Sequence, residues 1–346
     1  MGEMDKGCEV AQTIQLIKLD RNYVPTAKGE IRAFACIKNE SMRLPFLLDY
    51  HRQLGVDRFF FIDNGSTDGT VEFLMGQRDC HCFHSDGNFF ADNVEPPRWT
   101  NALRNVFGDG HWSLSLDADE MFVYPHCETV SLRRFCQYLD ESGADALTSL
   151  VIDMYGEGAI VKARYKRGQS FLGTCPYFDP ELGWTVFAEG SYPPELMFSG
   201  FRERAFWHGK HKAKRPPCIT QVPLVKWRKG VGYLVAQHSL NYARLSDLQG
   251  AVLHFKFLPG FYESIVSSIN DNKGVKEKGL EERSSYVDAL AKDPNLSLKY
   301  ERSARYCDSM QLVDLGWMKT SPAFEQFAAA SGKASQRRKA PANGRR

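Results

Sequence analysis

Three carboxylates arrive within four positions in the stretch LDADEMF, residues 116–122: Asp117, Asp119 and Glu120. Like charges this close repel, so side chains of one loop that converge on one point call for a cation between them. Carboxylate oxygens suit hard ions such as Mg2+ or Mn2+, which keep part of their water and take further ligands from substrate phosphates. A metal–diphosphate site is the chemistry this pattern predicts; acids that are simply solvated, or that cap the next segment, are the competing explanation. A second ligand type is available in AVLHFKF, residues 251–257, where His254 sits inside an apolar run. A lone His in such a run is ordinarily a core residue with one hydrogen-bond partner. Here it would complete an Asp/His pair, and Lys256 lies two residues on, facing the same side of a strand.

A diphosphate needs positive charge beyond one metal, and the chain segregates it. Residues 204–246 contain nine Lys/Arg (Arg204, Lys210, Lys212, Lys214, Arg215, Lys226, Arg228, Lys229, Arg244) and no Asp or Glu. Such segregation predicts a field suited to phosphate, although KHKAKR at 210–215 reads equally well as a solvated loop.

The elements that must position these groups are legible in the first third. IRAFACI reads as a buried strand from Ile31, ESMRLPFLLDYHRQLG as an amphipathic helix closing at Gly55, and DRFFFIDNGSTDGT as a second strand running into a turn. TVEFLMGQ, CHCFHS, RWTNALRNVFG and HWSLSLDADE continue as helix, strand, helix and strand, with Trp112, Leu114 and Leu116 alternating inside the last. Four strand–helix alternations predict an α/β fold with a Rossmann-like, mostly parallel sheet and helices on both faces. Ligands of such sheets bind beyond the carboxyl ends of the strands. Those ends are polar here: KNE at 38–40, DNGSTDGT at 63–70, HSDGN at 84–88 and DADE at 117–120. DNGSTDGT alone would be a well-made turn before a helix; at a parallel-sheet edge it places Asp63 and Asp68 where a base or ribose would lie.

Beyond about Tyr124 the pattern loosens: a helix at SLRRFCQYLDESG, a strand at DALTSLVIDMYG, a Gly/Pro/aromatic stretch to about Pro223, a strand-like VGYLVAQHSL, then SDLQGAVLHFKF and a helix near LPGFYESIVSSIND. The expected organisation is an N-terminal extension (1–30), a first half (31–125) and a second half (126–270) of one domain, a C-terminal helical region (271–330) and a disordered basic tail (331–346). The tail holds six of the 44 Lys/Arg and no acid, leaving 38 basic against 42 acidic residues over 1–330, a net charge of −4. It suits solubility, or peripheral contact with an anionic membrane, and nothing in it reads nucleic-acid sequence. Nine scattered cysteines without CxxC spacing argue against a disulfide framework; the tight CHCFH run at 80–84 suits a plain strand better than zinc. No apolar run is long enough to span a bilayer, and the first thirty residues lack a signal-peptide core. A cytoplasmic protein, peripheral to a membrane at most, is the expectation.

Together, CIKNE after the first strand, DNGSTDGT after the second, the DxD form LDADEMF and the late LHFK resemble the GT-A glycosyltransferases, more narrowly the family-2-like group with relatives in family 92. The resemblance spans about residues 31–265. It implies that the first half (31–125) binds a nucleotide-sugar donor, with UDP the expected nucleotide, and the second half (126–270) an acceptor, a cell-surface polysaccharide or other glycan, lipid-linked included. Asn39, Glu40 and Asp63 would lie near base and ribose with Asp86 at the same edge, and Asp117 near ribose or sugar. Asp119 and His254 would hold Mn2+ or Mg2+, with Lys256 and Arg204 on phosphates.

No ED pair follows the DxD region, so the base of an inverting transfer is unmarked. Glu203 in GFRERAF, flanked by Arg202 and Arg204 that would keep it ionised, is the first choice, with a structural Arg/Glu network as the alternative. Asp179 in YFDPELGW is the second. Aromatics around it (Tyr177, Phe178, Trp184, Phe187, Tyr192) would offer an acceptor sugar a stacking surface or simply fill a core, and His238 would line the same mouth. Two other functions stay open: a Mg2+-assisted phosphotransferase or phosphatase with Asp117 as nucleophile, and a nucleotide-binding protein without turnover.

Overall fold

The computed structural model describes residues 14–87, 95–181, 183–188, 190–206, 217–262, 265–266 and 278–339. In chain order the elements are β1 (Ile17–Lys18), β2 (Ile31–Ile37), α1 (Leu44–Leu54), β3 (Arg58–Asp63), α2 (Thr70–Met75), β4 (Cys80–His84), α3 (Glu95–Phe107), β5 (Trp112–Ser115), β6 (Glu120–Val123), α4 (Leu132–Glu141) and β7 (Ala146–Asp153). There follow α5 (Phe171–Thr174), β8 (Tyr177–Phe178), β9 (Thr185–Ala188), β10 (Glu195–Phe198), α6 (Phe201–Phe206), β11 (Thr220–Lys226), β12 (Tyr233–Val235), β13 (Ser239–Leu240) and β14 (Leu245–His254). The last are α7 (Lys278–Lys292), β15 (Ala304–Arg305), α8 (Ser309–Asp314) and α9 (Pro322–Lys339).

Nine strands form one sheet in the order β1-β4-β3-β2-β5-β11-β7-β14-β6. β2, β3, β4, β5, β7 and β14 run one way; β1, β11 and β6 run against them. The strands bury both faces, as their unbroken apolar runs require. Period-two alternation sends Ala33, Ala35, Phe59 and Phe61 to one face, against Leu44, Leu47 and Leu48 of α1 and Phe135 of α4. It sends Phe34, Phe60 and Ile62 to the other, against Trp99 and Leu103 of α3. This is the α/β architecture, a mostly parallel sheet between helices, that the alternation predicts.

The structure departs from the sequence reading in four places. HWSLSLDADE is not one strand: β5 stops at Ser115, and Glu120 begins β6 at the far edge of the sheet, beside β14. VGYLVAQHSL is folded back as the β12–β13 pair. TQVPLVK, whose first four residues end the stretch read as irregular up to Pro223, is β11 at the middle of the sheet. Proline cannot donate to a ladder, and the β11–β7 register shifts between Gln221 and Leu224 to accommodate it. Finally, α9 continues to Lys339, into the region whose composition suggests a disordered tail. Among the described residues no helix is long and apolar enough to cross a membrane.

Two buried basic side chains tie the strands to their helices. Arg104 of α3 donates to Ser113 Oγ (3.0 Å) and Ser115 Oγ (2.7 Å) of β5, with its guanidinium over the rings of Phe34, Tyr233 and Trp227. His51 of α1 is fully buried; Nδ1 donates to the Leu47 carbonyl (2.9 Å) and Nε2 accepts from the Phe122 amide of β6 (3.4 Å). Burial lowers the His51 imidazole to about 4. The unfolded chain protonates at the ordinary value near 6.5, so between pH 6.5 and 4 it binds a proton that the fold refuses, and stability falls as pH falls. About 3 kcal/mol of the acid destabilisation in that window is expected to disappear in His51→Gln, read from urea midpoints at pH 7.5 and 4.5. Parallel pH slopes in the two proteins would contradict this.

Candidate functional site

Strand direction brings the chemistry to one edge of the sheet. β2, β3, β4, β7 and β14 end there at Ile37, Asp63, His84, Asp153 and His254, and the antiparallel β6 begins there at Glu120. The turn 116–119 leaves β5 at the same edge, and the Asp119 carbonyl accepts from the Phe255 amide (2.8 Å), clipping the turn onto the end of β14.

Two loops form the first part of the edge. Asn39, at φ 59°, donates its amide to Ser66 Oγ (2.8 Å) and accepts from the Thr67 amide at Oδ1 (2.8 Å). The Glu40 amide donates to Thr70 Oγ1 (2.8 Å) and the Ser41 amide to Asp68 Oδ2 (3.0 Å). KNE and DNGSTDGT are therefore laced into one rigid unit, and Asp68 acts as its brace. Asp63 Oδ2 accepts from the Gly65 and Ser66 amides, 3.1 Å each, and its buried Oδ1 has no hydrogen-bond partner among the described residues. Gly65, at φ 77°, supplies the left-handed backbone this turn needs. Asp86 is solvent-exposed and engages His84 Nε2 at 2.7 Å.

The acids of the DADE turn divide their tasks. Glu120 is buried and accepts from the Asp117 amide (2.9 Å) and from Gln221 Nε2 (3.1 Å), so it holds the turn in shape. Asp117 reaches solvent and accepts from Gln237 Nε2 (3.1 Å). Asp119 Oδ2 lies 3.7 Å from His254 Nε2, while His254 Nδ1 donates to Asp153 Oδ1 at 2.6 Å. Asp153 Oδ2 accepts from Arg202 Nε (2.7 Å), and Arg202 continues to Glu282 (2.9 Å). Lys256 Nζ is 3.7 Å from the same Glu282.

Charge is concentrated on one of these acids. Desolvation in the crowded edge, then the Asp119 charge, pushes Asp117 up; burial, then Asp117, pushes Glu120 up. Burial lifts Glu40 to about 7, with Arg43 opposing and Asp119 and Asp117 adding. Asp119 goes the other way: burial would raise it, but His254, Arg43 and Lys256 outweigh burial and hold it below the usual carboxylate range. His254 is raised in turn, burial being outweighed by Asp119 and Asp153.

These residues fit a divalent cation. His254 has its far nitrogen fixed by a carboxylate, the arrangement that orients metal-binding imidazoles, and presents Nε2 toward an ionised Asp119. Among the described residues no set of three or more His, Cys, Asp or Glu surrounds one point. An ion held by Asp119 and His254 would thus take its other ligands from phosphate oxygens and water.

Not every residue anticipated for the site is there. Arg204 and Asp179 pair with each other through two hydrogen bonds of 3.0 Å, Tyr155 donates to Asp179 at 2.5 Å, and Arg204 lies over the Tyr300 ring. Arg204, expected on phosphate, and Asp179, the second choice of base, are thus engaged with each other in this network. Lys226, Arg228, Lys229 and Arg244 sit at the opposite edge, because β11 runs antiparallel: Lys226 pairs with Trp112, the first residue of β5, and Arg244 binds Asp145 at 2.9 Å. Lys210, Lys212, Lys214 and Arg215 lie outside the described residues, as does the Glu203 side chain, whose backbone belongs to α6. Of the aromatic group, Phe178 is core, whereas Trp184 and Tyr192 are exposed. His238 Nδ1 is bonded to the Thr220 carbonyl at 2.6 Å.

The structure adds residues that the sequence did not flag. Arg43, the N-cap position immediately before α1, bonds Glu40 at 2.7 Å and acts on the Asp119 charge. Asp153 ends an apolar strand at the ligand edge, the same criterion that picks out Asp63, and Gln237 reaches Asp117 from the β12–β13 connection.

No family model matches the sequence, and no curated protein matches it. Among solved structures, the chain is similar to a 4-diphosphocytidyl-2C-methyl-D-erythritol synthase, at 13% identity over 43% of this chain and 68% of that one, TM-score 0.25. It is also similar to a UDP-glucose pyrophosphorylase complexed with UDP-glucose, at 9% identity over 89% of this chain and 99% of that one, TM-score 0.26. Likeness this slight leaves function to be argued from the site.

Proposed function

We propose that the chain is a GT-A-type glycosyltransferase that moves a sugar from a UDP-linked donor to a hydroxyl of a glycan or lipid-linked glycan, with inversion and with the help of Mn2+ or Mg2+. One observation carries the reading: the interlaced 38–41 and 63–70 loops share an edge with an ionised Asp119 that faces a carboxylate-fixed His254. Asn39 and Asp63 hold the nucleoside end, Asp117 meets ribose or sugar, and Asp119 with His254 holds the metal. Lys256 and Arg43 add positive charge at the diphosphate. The ion, when bound, supplies stabilisation of the charge that develops on the leaving diphosphate.

The proton of the acceptor hydroxyl must be taken up by a carboxylate as that oxygen attacks the anomeric carbon. Glu203 is assigned this role. It follows Arg202, whose guanidinium is anchored on Asp153, the partner of His254, so α6 is tied to the metal pair. Glu203→Gln is expected to keep donor binding and lose transfer by about 100-fold or more, the lower range of general-base contributions; undiminished transfer would move the base elsewhere.

The reading is tested by incubating the protein with Mn2+ and UDP-, GDP- and CDP-linked sugars and measuring free nucleotide from slow donor hydrolysis. Metal-dependent release from a UDP-sugar is the expected result. Neither binding nor hydrolysis of any donor would overturn it, and a phosphoenzyme trapped on Asp117 would favour the phosphotransferase instead.

A further inference from the structure

Past the ends of β7 and β14 lies a half-open cavity of about 220 Å3 with no role in the donor chemistry above. Ile160, Phe257 and Leu298 give it apolar walls, and Lys162 and Arg164 stand at its lining. That size falls below the ~300–1,000 Å3 of drug-sized sites and suits a single sugar-sized group. Gly156 lets two walls meet, since a Cβ there would stand 3.1 Å from the Thr174 carbonyl. A third wall is pinned by the Ile160 amide, which donates to the Leu296 carbonyl at 3.0 Å.

The electrostatics of the cavity are one-sided. Residues 158–178 contain Lys162, Arg164, Lys166 and Arg167 and no Asp or Glu. Glu157, the acid in the lining, is engaged by Lys299 at 2.5 Å. Lys162 donates to the neutral Asn295 Oδ1 at 2.7 Å, and Arg164 has no ion pair among the described residues. Two exposed cations without a carboxylate partner among the described residues therefore border one small, partly apolar space, an arrangement that recognises an anion attached to a ring.

Location says which molecule brings that anion. The nucleotide-type loops follow β2 and β3, on one side of the sheet; the DADE turn follows β5; the cavity follows β7 and β14, on the other side. Gly156 is three residues past Asp153 and Phe257 three past His254, so the cavity begins within about 10 Å of chain from the metal pair. We propose that this cavity is the acceptor subsite and that the acceptor is an anionic glycan, carrying a phosphate or carboxylate that Lys162 and Arg164 bind while Phe257 and Leu298 support its ring. The acceptor role rests on the glycosyltransferase reading; the binding of an anionic sugar does not.

Calorimetric titration of glucose 6-phosphate, glucuronate and glucose into the protein, without nucleotide or metal, decides it. At least one anionic sugar is expected to bind about tenfold or more tightly than glucose, more weakly in 0.5 M than in 0.05 M salt, and whichever binds better identifies phosphate or carboxylate. Lys162→Glu combined with Arg164→Glu should lower that affinity at least about tenfold, with Lys162→Gln and Arg164→Gln as the milder pair should the charge reversal misfold. Equal binding of glucose and the anions, no binding of any sugar, or wild-type affinity in the folded variants would overturn the proposal. UDP with Mn2+ is titrated separately: if it fails to bind while glucose 6-phosphate binds, the donor reading falls and the anion site stands.

Discussion

Replacing Asp119 by alanine is expected to reduce Mn2+-dependent binding of UDP at least about 100-fold. Removing a residue that merely orients a metal ligand commonly costs 10–100-fold in affinity, and Asp119 is the ligand itself under the proposed function. It is also the carboxylate of the turn that stays below its ordinary range, while Asp117 and Glu120 are pushed up. Asp153→Asn makes the graded comparison: its Oδ1 holds His254 Nδ1 at 2.6 Å, so a loss within the 10–100-fold range is expected there. Calorimetry of UDP with and without Mn2+ reads both. Asp119→Ala binding UDP as tightly as wild type would remove the metal from this edge.

Gly250→Val is expected to destabilise the protein by about 3 kcal/mol, near the upper end of the usual overpacking cost. A Cβ on Gly250 would stand 2.8 Å from Ser149 Oγ, 2.9 Å from the Val123 carbonyl and 3.1 Å from Leu147 Cδ2. Of these the Val123 carbonyl cannot turn aside, because it belongs to the ladder that joins β6 to β14. The thermal midpoint should fall by roughly 5–10 °C. Strand β14 ends four residues on at His254, so metal-dependent nucleotide binding should weaken in whatever fraction still folds. A midpoint within a degree of wild type would mean that the sheet yields where its geometry says it cannot.

Legibility followed local pattern. Strands β2 to β5 announce themselves through apolar runs punctuated by polar turns, and with them came the edge on which Asp63, Asp117 and Asp119 had to lie. Lone His254 inside AVLHFKF was readable for the same reason, since it ends the strand that the run forms. What stayed hidden depends on direction and pairing. Pro223 disguised β11, and without knowing that β11 runs antiparallel nothing in the sequence sends Lys226 and Arg228 away from the site. β6 was hidden because DADEMF reads on from β5 without a break, although the two strands stand at different places in the sheet. Arg43 looked like a first-turn residue of an amphipathic helix, and only the approach of that helix to the DADE turn gives it a task. Glu120 shows the same limit at single-residue scale: its pattern left open whether it orients a metal ligand or caps the turn, and its hydrogen bonds to the Asp117 amide and Gln221 make it the brace of the turn.

The two residues assigned to the metal lie 135 positions apart, at Asp119 and His254, and meet because β14 inserts between β7 and β6. During synthesis, the interlaced 38–41 and 63–70 loops can form as soon as β2 to β4 have left the ribosome. A nascent chain that has reached Asp119 still lacks the imidazole, its Asp153 anchor and the Phe255 amide that pins the turn. On the proposed assignment, metal affinity would report completion of the sheet, and Mn2+ would stabilise finished molecules without rescuing partly made ones.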